Sequence, residues 1–260
     1  MDLSGRVALI TGGAGHVGSA LCDALAELGA SIVVLDSQRE NCTKVATRLH
    51  DKYGVETLPL FTDLSAESEM RSVPERILSR FQKFDILVNC AALVGASGLE
   101  GWAVPFPKQS AATWRLALEV NLTAPFVLTQ VCAEALAASG HGSVINIGSI
   151  YGMVGPDMSL YENTELGNPA AYAASKGGLL QLTRWLATVM APKVRVNAVT
   201  SGGVWREQSE SFTSRYVART PLARMATEED LKGVVAYLAS DLSSYVTGHN
   251  LVVDGGWTAW

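Results

Sequence analysis

Short, largely apolar runs alternate with segments of helical period from residue 6 to about 200. Apolar runs without polar alternation are typical of strands buried on both faces, as in parallel sheets. Strands are predicted at 6–10, 31–35, 56–61, 85–89, 142–147, 194–199 and 250–253. Helices are predicted at 17–28, 39–53, 66–82 with a kink at Pro74, 110–138 with Pro125 inside, 169–190 and 228–239. This alternation predicts an α/β fold: a doubly wound parallel sheet of about seven strands with helices on both faces.

No linker, internal repeat or low-complexity segment divides the 260 residues, so we expect one domain over 1–260. Three stretches interrupt the alternation, at 93–108, 151–168 and 200–226, and each follows a predicted strand. The carboxyl ends of parallel strands share one edge of the sheet, where ligands bind in this architecture. We therefore expect these stretches to be substrate loops.

Composition and charge argue against several classes of partner. The formal net charge is −5, so no basic excess suggests nucleic acid or an anionic membrane surface. We expect no signal peptide, and no apolar stretch near the ~20 residues of a membrane span. The four cysteines form no CxxC pair and the four histidines show no ligand spacing. This pattern predicts reduced thiols, a cytoplasmic location and no metal site.

A glycine-rich loop, Thr11-Gly-Gly-Ala-Gly-His-Val-Gly18, follows the first predicted strand and opens the first predicted helix. It contains G-x-G-x-x-G in the strand-to-helix context that a dinucleotide fingerprint requires. Glycines let the backbone approach a pyrophosphate, and the helix N-terminus faces its negative charge. Asp36 ends the second strand, where a carboxylate accepts hydrogen bonds from the ribose hydroxyls of NAD and repels the 2′-phosphate of NADP. The loop and Asp36 together predict a Rossmann fold that binds NAD.

Tyr172 and Lys176 stand four residues apart in a predicted helix, so their side chains lie on one face. A free phenol has a pKa of about 10, and a nearby ammonium favours the phenolate. A phenolate can take the proton of an alcohol while hydride leaves the same carbon. Downstream of a nucleotide loop, the pair predicts Tyr172 as general acid or base. Lys176 is predicted to lower the pKa of Tyr172 and to hold the nicotinamide ribose.

In this order, the motifs resemble those of the short-chain dehydrogenase/reductase family, from Leu3 to Gly256. Asn121 matches the helix asparagine that supports a proton-relay water, and Ser149 matches the serine that hydrogen-bonds the substrate oxygen. The implied catalytic residues are Asn121, Ser149, Tyr172 and Lys176. The implied cofactor-binding residues are Gly12, Gly15, His16, Val17, Gly18, Asp36, Asp63, Leu64, Asn89, Ala91, Tyr172, Lys176, Gly202 and Val204. The family also implies a homotetramer or homodimer.

Two positions depart from the family pattern. His16 stands where short members usually carry glycine, as in the longer sugar-nucleotide epimerase and dehydratase branch, and Ser201 stands where proline is usual. Two serines also compete for the catalytic role. Ser159 lies 13 positions before Tyr172, near the usual spacing, whereas Ser149 lies 23 before it. We choose Ser149 because it closes a predicted strand, which implies an insertion of about ten residues before Tyr172.

The inserted segment, 153–168, carries carboxylates, amides and hydroxyls, which suit a polyol or sugar. Asp157 and Glu162 would disfavour a strongly anionic substrate nearby. Trp102 and Phe106 could stack on a sugar face. Alternatively, the inserted segment and the segment 94–108, which carries these two aromatic residues, pack on each other or on a neighbouring subunit. The region also resembles oxidoreductases of bacterial surface-polysaccharide and flagellin sugar synthesis.

Two further segments carry large side chains. The stretch 200–226 is predicted as a mobile substrate lid or a solvated surface, and it contains Trp205, Arg206, Arg215 and Arg219. The carboxyl-terminal Trp257 and Trp260 are expected in a subunit interface.

The leading hypothesis is an NAD-dependent dehydrogenase that interconverts a secondary alcohol and a ketone, on a sugar or polyol. One alternative is a sugar-nucleotide epimerase or dehydratase that holds NAD tightly. The other is a catalytically silent NAD-binding regulator.

Overall fold

In the computed structural model, which describes residues 1–95 and 97–260, seven parallel strands form one sheet. The strands are β1 (Val7–Thr11), β2 (Ser31–Asp36), β3 (Thr57–Phe61), β4 (Ile86–Asn89), β5 (Gly142–Ser149), β6 (Val194–Ser201) and β7 (Asn250–Val253). Their order across the sheet is β3-β2-β1-β4-β5-β6-β7. The order reverses between β1 and β4, which is the point where a doubly wound sheet forms its ligand crevice. The predicted fold class is confirmed.

Helices cover both faces of this sheet. They are α1 (His16–Glu27), α2 (Arg39–Tyr53), α3 (Glu67–Arg71), α4 (Val73–Phe81), α5 (Ala111–Leu118), α6 (Ala124–Ala138), α7 (Ala170–Met190), α8 (Glu210–Ala218) and α9 (Lys232–Ala239). Successive β1 residues point to opposite faces of the sheet. Ile10 therefore packs with α1, α2 and α9, while Leu9 packs with α4, α6 and α7. Burial on both faces explains the continuous apolar strands.

Two predicted helices are interrupted where proline occurs. The predicted helix 66–82 is broken at Ser72, and Pro74 lies in the first turn of α4. The predicted helix 110–138 continues through a π-helical turn, Glu119–Thr123, and Pro125 lies in the first turn of α6. Pro74 is tolerated because an N–H in the first turn has no intrahelical partner, whereas Pro125 follows the π-helical turn, where the regular hydrogen-bond pattern is already interrupted.

The stretch 200–226, which the sequence predicts to be irregular, contains the helix α8. The Ser209 side chain caps this helix by accepting a hydrogen bond from the Phe212 N–H. Phe212 and Tyr216 are its two buried residues, four positions apart on one face. The apolar signal of α8 is therefore too sparse to stand out in the sequence.

By length and composition alone, the helical stretch Ala111–Ala138 is long and apolar enough to cross a membrane. The expectation that no apolar stretch comes near that length was wrong. Leu128, Cys132 and Leu136 of this stretch are buried in the core under the sheet. One such helix is weak evidence for a membrane span, because helices that pack on a protein core pass the same test.

Candidate active site

Two neighbouring clefts open at the carboxyl edge of the sheet. The first, called here the loop cleft, has a volume of ≈ 600 Å³ and lies over the glycine-rich loop. The second, called here the serine cleft, has a volume of ≈ 710 Å³ and lies over the end of β5. The two linings share five residues: Val17, Cys90, Ala92, Val94 and Arg206. A ligand that extends from one cleft into the other would therefore pass these side chains.

The glycine-rich loop is shaped by two close backbone approaches. Gly12 has φ +64°, and a Cβ there would lie 2.9 Å from the Ala91 Cα. A Cβ on Gly18 would overlap the Gly12 carbonyl oxygen. Thr11 Oγ1 accepts hydrogen bonds from the N–H groups of Cys90 and Ala91, at 3.0 and 3.1 Å, which ties the loop to the end of β4. The loop thus presents bare backbone at the start of α1, a cradle that fits the pyrophosphate of a dinucleotide.

Asp36 lies at the end of β2 and lines the loop cleft. Its Oδ2 accepts a hydrogen bond from the Ala14 N–H at 3.2 Å, and its Oδ1 accepts one from the Gln38 N–H at 3.1 Å. The carboxylate is thereby fixed beside the glycine-rich loop. Arg39, the nearest cation in sequence, stacks over the Phe61 ring at 3.9 Å. Asp36 therefore presents negative charge where an adenosine ribose would lie.

Most of the predicted cofactor residues lie in one of the two clefts. Those in the loop cleft are Gly12, Gly15, His16, Val17, Gly18, Asp36, Asp63, Leu64 and Ala91, and those in the serine cleft are Val17, Tyr172, Lys176, Gly202 and Val204. Asn89 is the exception, because it is 3% exposed and lines neither cleft. Its Nδ2 donates to the Asn146 Oδ1 at 2.9 Å across the β4–β5 pair. The side chain of Asn89 thus faces the sheet, and its contact with the cofactor stays a prediction.

Sequence reasoning missed Cys90, Ala92, Val94 and Arg206, which border both clefts. The first three follow β4, so strand-end position was an available signal for them. Arg206 lies far along the chain, in the segment after β6. Its position at the junction could not be read from local pattern.

Tyr172, Lys176 and Ser149 line the serine cleft together. Tyr172 and Lys176 lie on one face of α7, and Ser149 is the last residue of β5. Lys176 Nζ donates to the Ile147 carbonyl oxygen at 2.7 Å and lies 5.8 Å from the centroid of the Tyr172 ring. Two hydroxyls and one ammonium from the sheet edge and its neighbouring helix thus meet in one cleft.

Burial dominates the proton affinities of this pair. Burial raises the pKa of Tyr172, and a hydrogen bond from Ser149 opposes that rise only in part. Burial also lowers the pKa of Lys176 to about 8. In the protein without cofactor, Lys176 therefore does not produce the predicted lowering of the Tyr172 pKa. The desolvated ammonium is instead held by a carbonyl oxygen.

Asn121 lies in the π-helical turn between α5 and α6 and is buried. Its Oδ1 accepts from the Leu93 N–H at 2.7 Å, and its Nδ2 donates to the Leu93 carbonyl oxygen at 3.0 Å. The same Nδ2 donates to the Ser175 Oγ at 3.1 Å. The Asn121 side chain thus joins the loop after β4 to α7, beside Tyr172 and Lys176. A role in supporting a relay water remains a prediction.

The competing serines occupy different environments. Ser149 Oγ accepts a hydrogen bond from the Tyr151 N–H at 3.2 Å, and its hydroxyl lies in the serine cleft, where it can donate to Tyr172 or to a substrate. The exposed Ser159 donates through its hydroxyl to the Asp157 Oδ1 at 2.8 Å and does not line that cleft. The geometry therefore favours Ser149 over Ser159 as the serine that faces a substrate.

The inserted segment packs on α8 of the same chain. Arg215 donates to the carbonyl oxygens of Ser159 and Glu162, at 3.2 and 2.6 Å, and Arg219 forms an ion pair with Asp157. These arginines are thus engaged within the chain and are not free cations of a solvated surface. Asp157 is likewise neutralised by Arg219 and does not line the serine cleft.

Two aromatic predictions, those for Trp102 and Trp257, differ from the structure. Trp102 is 2% exposed and its Nε1 donates to the Val94 carbonyl oxygen at 2.7 Å, so it is a core residue and cannot stack on a substrate. Trp257 is 8% exposed and stacks on Tyr216 at a centroid distance of 5.9 Å, so it packs inside its own chain. The side chains of Trp260 and Phe106 are 81% and 79% exposed. Among residues 1–95 and 97–260, no group of three metal-ligating side chains is found.

Comparison with known proteins places the chain among oxidoreductases. A family model described as enoyl-(acyl carrier protein) reductase matches residues 12–258. The chain is 31% identical to a 3-oxoacyl-(acyl-carrier-protein) reductase of Aquifex aeolicus over 261 residues, 98% of each protein. It is 33% identical to the cis-4-hydroxycyclohexanecarboxylate dehydrogenase of Sinomonas cyclohexanicum over 259 residues, 98% of this chain and 97% of that protein. Post-translational flagellin modification protein A of Campylobacter coli is 27% identical over 257 residues, with 98% and 99% covered.

Solved structures agree with these relatives. A gluconate 5-dehydrogenase from Burkholderia cenocepacia, in complex with NADP and tartrate, has a TM-score of 0.88 and 30% identity, with 100% of this chain and 97% of that chain covered. A xylitol dehydrogenase bound to NAD⁺ has a TM-score of 0.85 and 27% identity, with 98% and 100% covered. The sheet topology, the dinucleotide cradle and the relatives together show an NAD(P)-dependent oxidoreductase. The chain belongs to the short-chain dehydrogenase/reductase family.

Proposed function

We propose that this protein is an NAD-dependent dehydrogenase that interconverts a secondary alcohol and a ketone on a sugar or polyol. The observation that carries the proposal is the meeting of Ser149, Tyr172 and Lys176 in a cleft that adjoins the glycine-rich loop. A hydroxyl donor, a phenol and a buried ammonium suit proton transfer at a carbon–oxygen bond.

The chain's residues fit a dinucleotide that spans both clefts. The backbone of Gly12, Gly15 and Gly18 would hold the pyrophosphate, and Asp36 the adenosine ribose. Lys176 would hold the nicotinamide ribose, within the serine cleft. The nicotinamide supplies hydride acceptance and donation when bound.

Each residue of the serine cleft has a distinct task in the proposed reaction. Ser149 donates its hydroxyl hydrogen to the substrate oxygen, because its own oxygen already accepts from the Tyr151 N–H. Tyr172 would take the alcohol proton as a phenolate, which the Lys176 ammonium and a bound nicotinamide cation would favour together, and in the reverse direction the neutral phenol would return it. Lys176 places positive charge near that phenol, at 5.8 Å from the ring centroid. Asn121 holds α7 against the loop after β4 through Ser175 and Leu93, which positions the pair.

NAD is proposed over NADP because of Asp36. Its carboxylate lines the loop cleft and would repel a 2′-phosphate while accepting ribose hydrogen bonds. Family membership does not settle the choice, since one structural neighbour is in complex with NADP and another is bound to NAD⁺.

A sugar or polyol is proposed because the inserted segment adds polar groups to the serine cleft. The polar side chains of this segment that line the cleft are those of Tyr161, Asn163, Thr164, Glu165 and Asn168. Two structural neighbours are named as dehydrogenases of gluconate and of xylitol. The same cleft is otherwise walled by Tyr151, Phe212 and other aromatic side chains, which suits the apolar face of a carbon chain or ring.

Self-association into a homotetramer or homodimer is also proposed. Large apolar side chains are exposed on α5, α6 and α7: Trp114, Phe126, Trp185 and Val189. Exposed apolar groups of this size favour contact with a second copy. A cytoplasmic location is proposed on the four free cysteines.

The test is to mix the protein with NAD and with xylitol, ribitol, D-sorbitol or D-gluconate, and to follow NADH absorbance. Net NADH with at least one of these compounds supports the proposal. Product without net NADH would indicate an epimerase or dehydratase with tightly held NAD. Tight NAD binding without turnover on the whole panel would indicate a regulator and refute the proposal.

A further inference from the structure

Tyr151 lies two residues before the inserted segment and Tyr161 lies within it, and both line the serine cleft. Their phenol oxygens are 2.8 Å apart. Tyr151 also touches the catalytic machinery, because its N–H donates to the Ser149 Oγ. The phenol pair therefore borders the place where a substrate oxygen would meet Ser149 and Tyr172.

Asn168 is the third polar group of this wall. It lines the same cleft as Tyr161, and its side chain, together with that of Tyr151, opposes the rise that burial causes in the pKa of Tyr161. The Asn168 Oδ1 is buried and has no hydrogen-bond partner. A buried acceptor without a partner costs stability, so a ligand donor that reached this oxygen would gain a hydrogen bond that the protein does not supply.

Within this wall, one phenol hydrogen and one amide oxygen have no hydrogen-bond partner. The mutual bond of Tyr151 and Tyr161 uses one of their two hydroxyl hydrogens, so the other remains to be donated. Asn168 Oδ1 remains to accept. Burial raises the pKa of Tyr151 far above its usual range, so this phenol stays neutral and acts as a hydrogen-bonding group, not as a base.

Aromatic packing fixes these groups in place. The Tyr161 ring packs on Phe212 of α8 at 5.5 Å, and the Tyr151 ring meets Trp257 edge-on at 6.3 Å. Arg215 holds the chain next to Tyr161 by donating to the Glu162 carbonyl oxygen. A preorganised polar site of this kind gains affinity because little entropy is lost on binding.

We infer that Tyr151, Tyr161 and Asn168 recognise a second hydroxyl of the substrate, distinct from the one that is oxidised. A hydroxyl both donates and accepts, so it would satisfy Asn168 Oδ1 and the spare phenol hydrogen at once. The inference rests on the proposed function and deepens it, because it names the residues that select a polyhydroxylated alcohol. A mono-alcohol of the same carbon skeleton is rejected because it leaves these buried groups unpaired.

The test compares a polyol with its mono-alcohol counterpart. Xylitol and 3-pentanol share a five-carbon chain with a central secondary hydroxyl, and only xylitol has the others. The variants are Tyr161→Phe and Asn168→Leu, with the fully exposed Tyr245→Phe as matched control. The measurement is the ratio of kcat/KM for xylitol to kcat/KM for 3-pentanol, and thermal melting verifies that each variant is folded.

Tyr161→Phe and Asn168→Leu are each expected to lower this ratio about tenfold, through a higher KM for xylitol, while the control leaves it unchanged. A merely structural role would lower both kcat/KM values together and leave the ratio as in the wild type. If the wild type oxidises xylitol and both variants keep its ratio, this inference fails and the proposed function stands. If the wild type oxidises none of the polyols, the proposed function fails and this inference falls with it.

Discussion

Asp36→Asn is the substitution that probes cofactor choice most sharply. Asparagine keeps the size of the side chain and one acceptor oxygen, but it removes the negative charge. The native carboxylate accepts from the N–H groups of Ala14 and Gln38, so one of these two bonds can survive in the variant. The position of the side chain should therefore persist, and the effect should be one of charge and of lost acceptor capacity.

The magnitude follows from two contributions. A hydrogen bond to a charged group contributes about 1.5–3 kcal/mol, so loss of one ribose bond should weaken NAD by roughly 10- to 100-fold. For NADP, removing one charge from about 4 Å of a doubly charged 2′-phosphate relieves about 2 kcal/mol at the dielectric of water, or roughly 30-fold in Kd. Asp36 is only half-buried, so the water value is the appropriate one. The preference for NAD over NADP should thus fall by roughly 10³-fold.

Titration of wild type and variant with NAD and NADP, by calorimetry at two salt concentrations, measures this change. Asp63→Asn is the matched control, because Asp63 lines the same cleft but its Oδ1 already accepts from the Ser65 N–H and hydroxyl. The control should change the NAD-to-NADP preference far less. Equal changes in both variants, or an unchanged NAD affinity in Asp36→Asn, would refute the ribose role.

Further predictions concern the serine, the loop and the buried lysine. Ser149→Ala should lower kcat about 100-fold or more and Ser159→Ala should not; the reverse result would place the insertion elsewhere. Gly18→Ala should abolish NAD binding in a titration, since its Cβ overlaps backbone, whereas Gly233→Ala, with open space around it, should bind NAD normally. Lys176→Met should unfold at higher urea, because burial lowers the pKa of Lys176 to about 8 and its charge is costly at neutral pH. Below pH 8 the buried charge should cost about 3 kcal/mol of stability, and this cost should vanish as pH rises from 8 to about 10.5. A variant that is less stable than the wild type at pH 7 would contradict the prediction.

The sheet and the dinucleotide loop could be predicted because their signals are local. Residues such as Val33 and Val34 of β2 are buried on opposite faces, so the strand is apolar throughout and stands out. The glycine-rich loop is recognisable because backbone contacts at Gly12 and Gly18 exclude a side chain. Ser149 could be chosen over Ser159 for a similar reason, since a buried strand determines where its last residue lies.

Features that depend on distant contacts could not be predicted. The motif around Asn89 predicts a cofactor residue, and it gives no sign that the β4–β5 register sets the Asn89 side chain beside Asn146 in the sheet. The helix α8 is stabilised by Phe212 and Tyr216, which pack on the inserted segment, and its own sequence shows little periodicity. The unpartnered Asn168 oxygen is a property of the packed cleft and has no sequence signature.

The central claim is that the Tyr172 hydroxyl transfers the proton of the substrate alcohol. The most direct test is Tyr172→Phe, which keeps the ring and removes only the hydroxyl, measured as the single-turnover rate of NADH formation with the best polyol of the panel. We expect a rate lower by about 10²- to 10⁴-fold, with NAD affinity changed far less than the rate in a parallel titration. A variant that binds NAD normally and still forms NADH at a rate close to that of the wild type would contradict the claim.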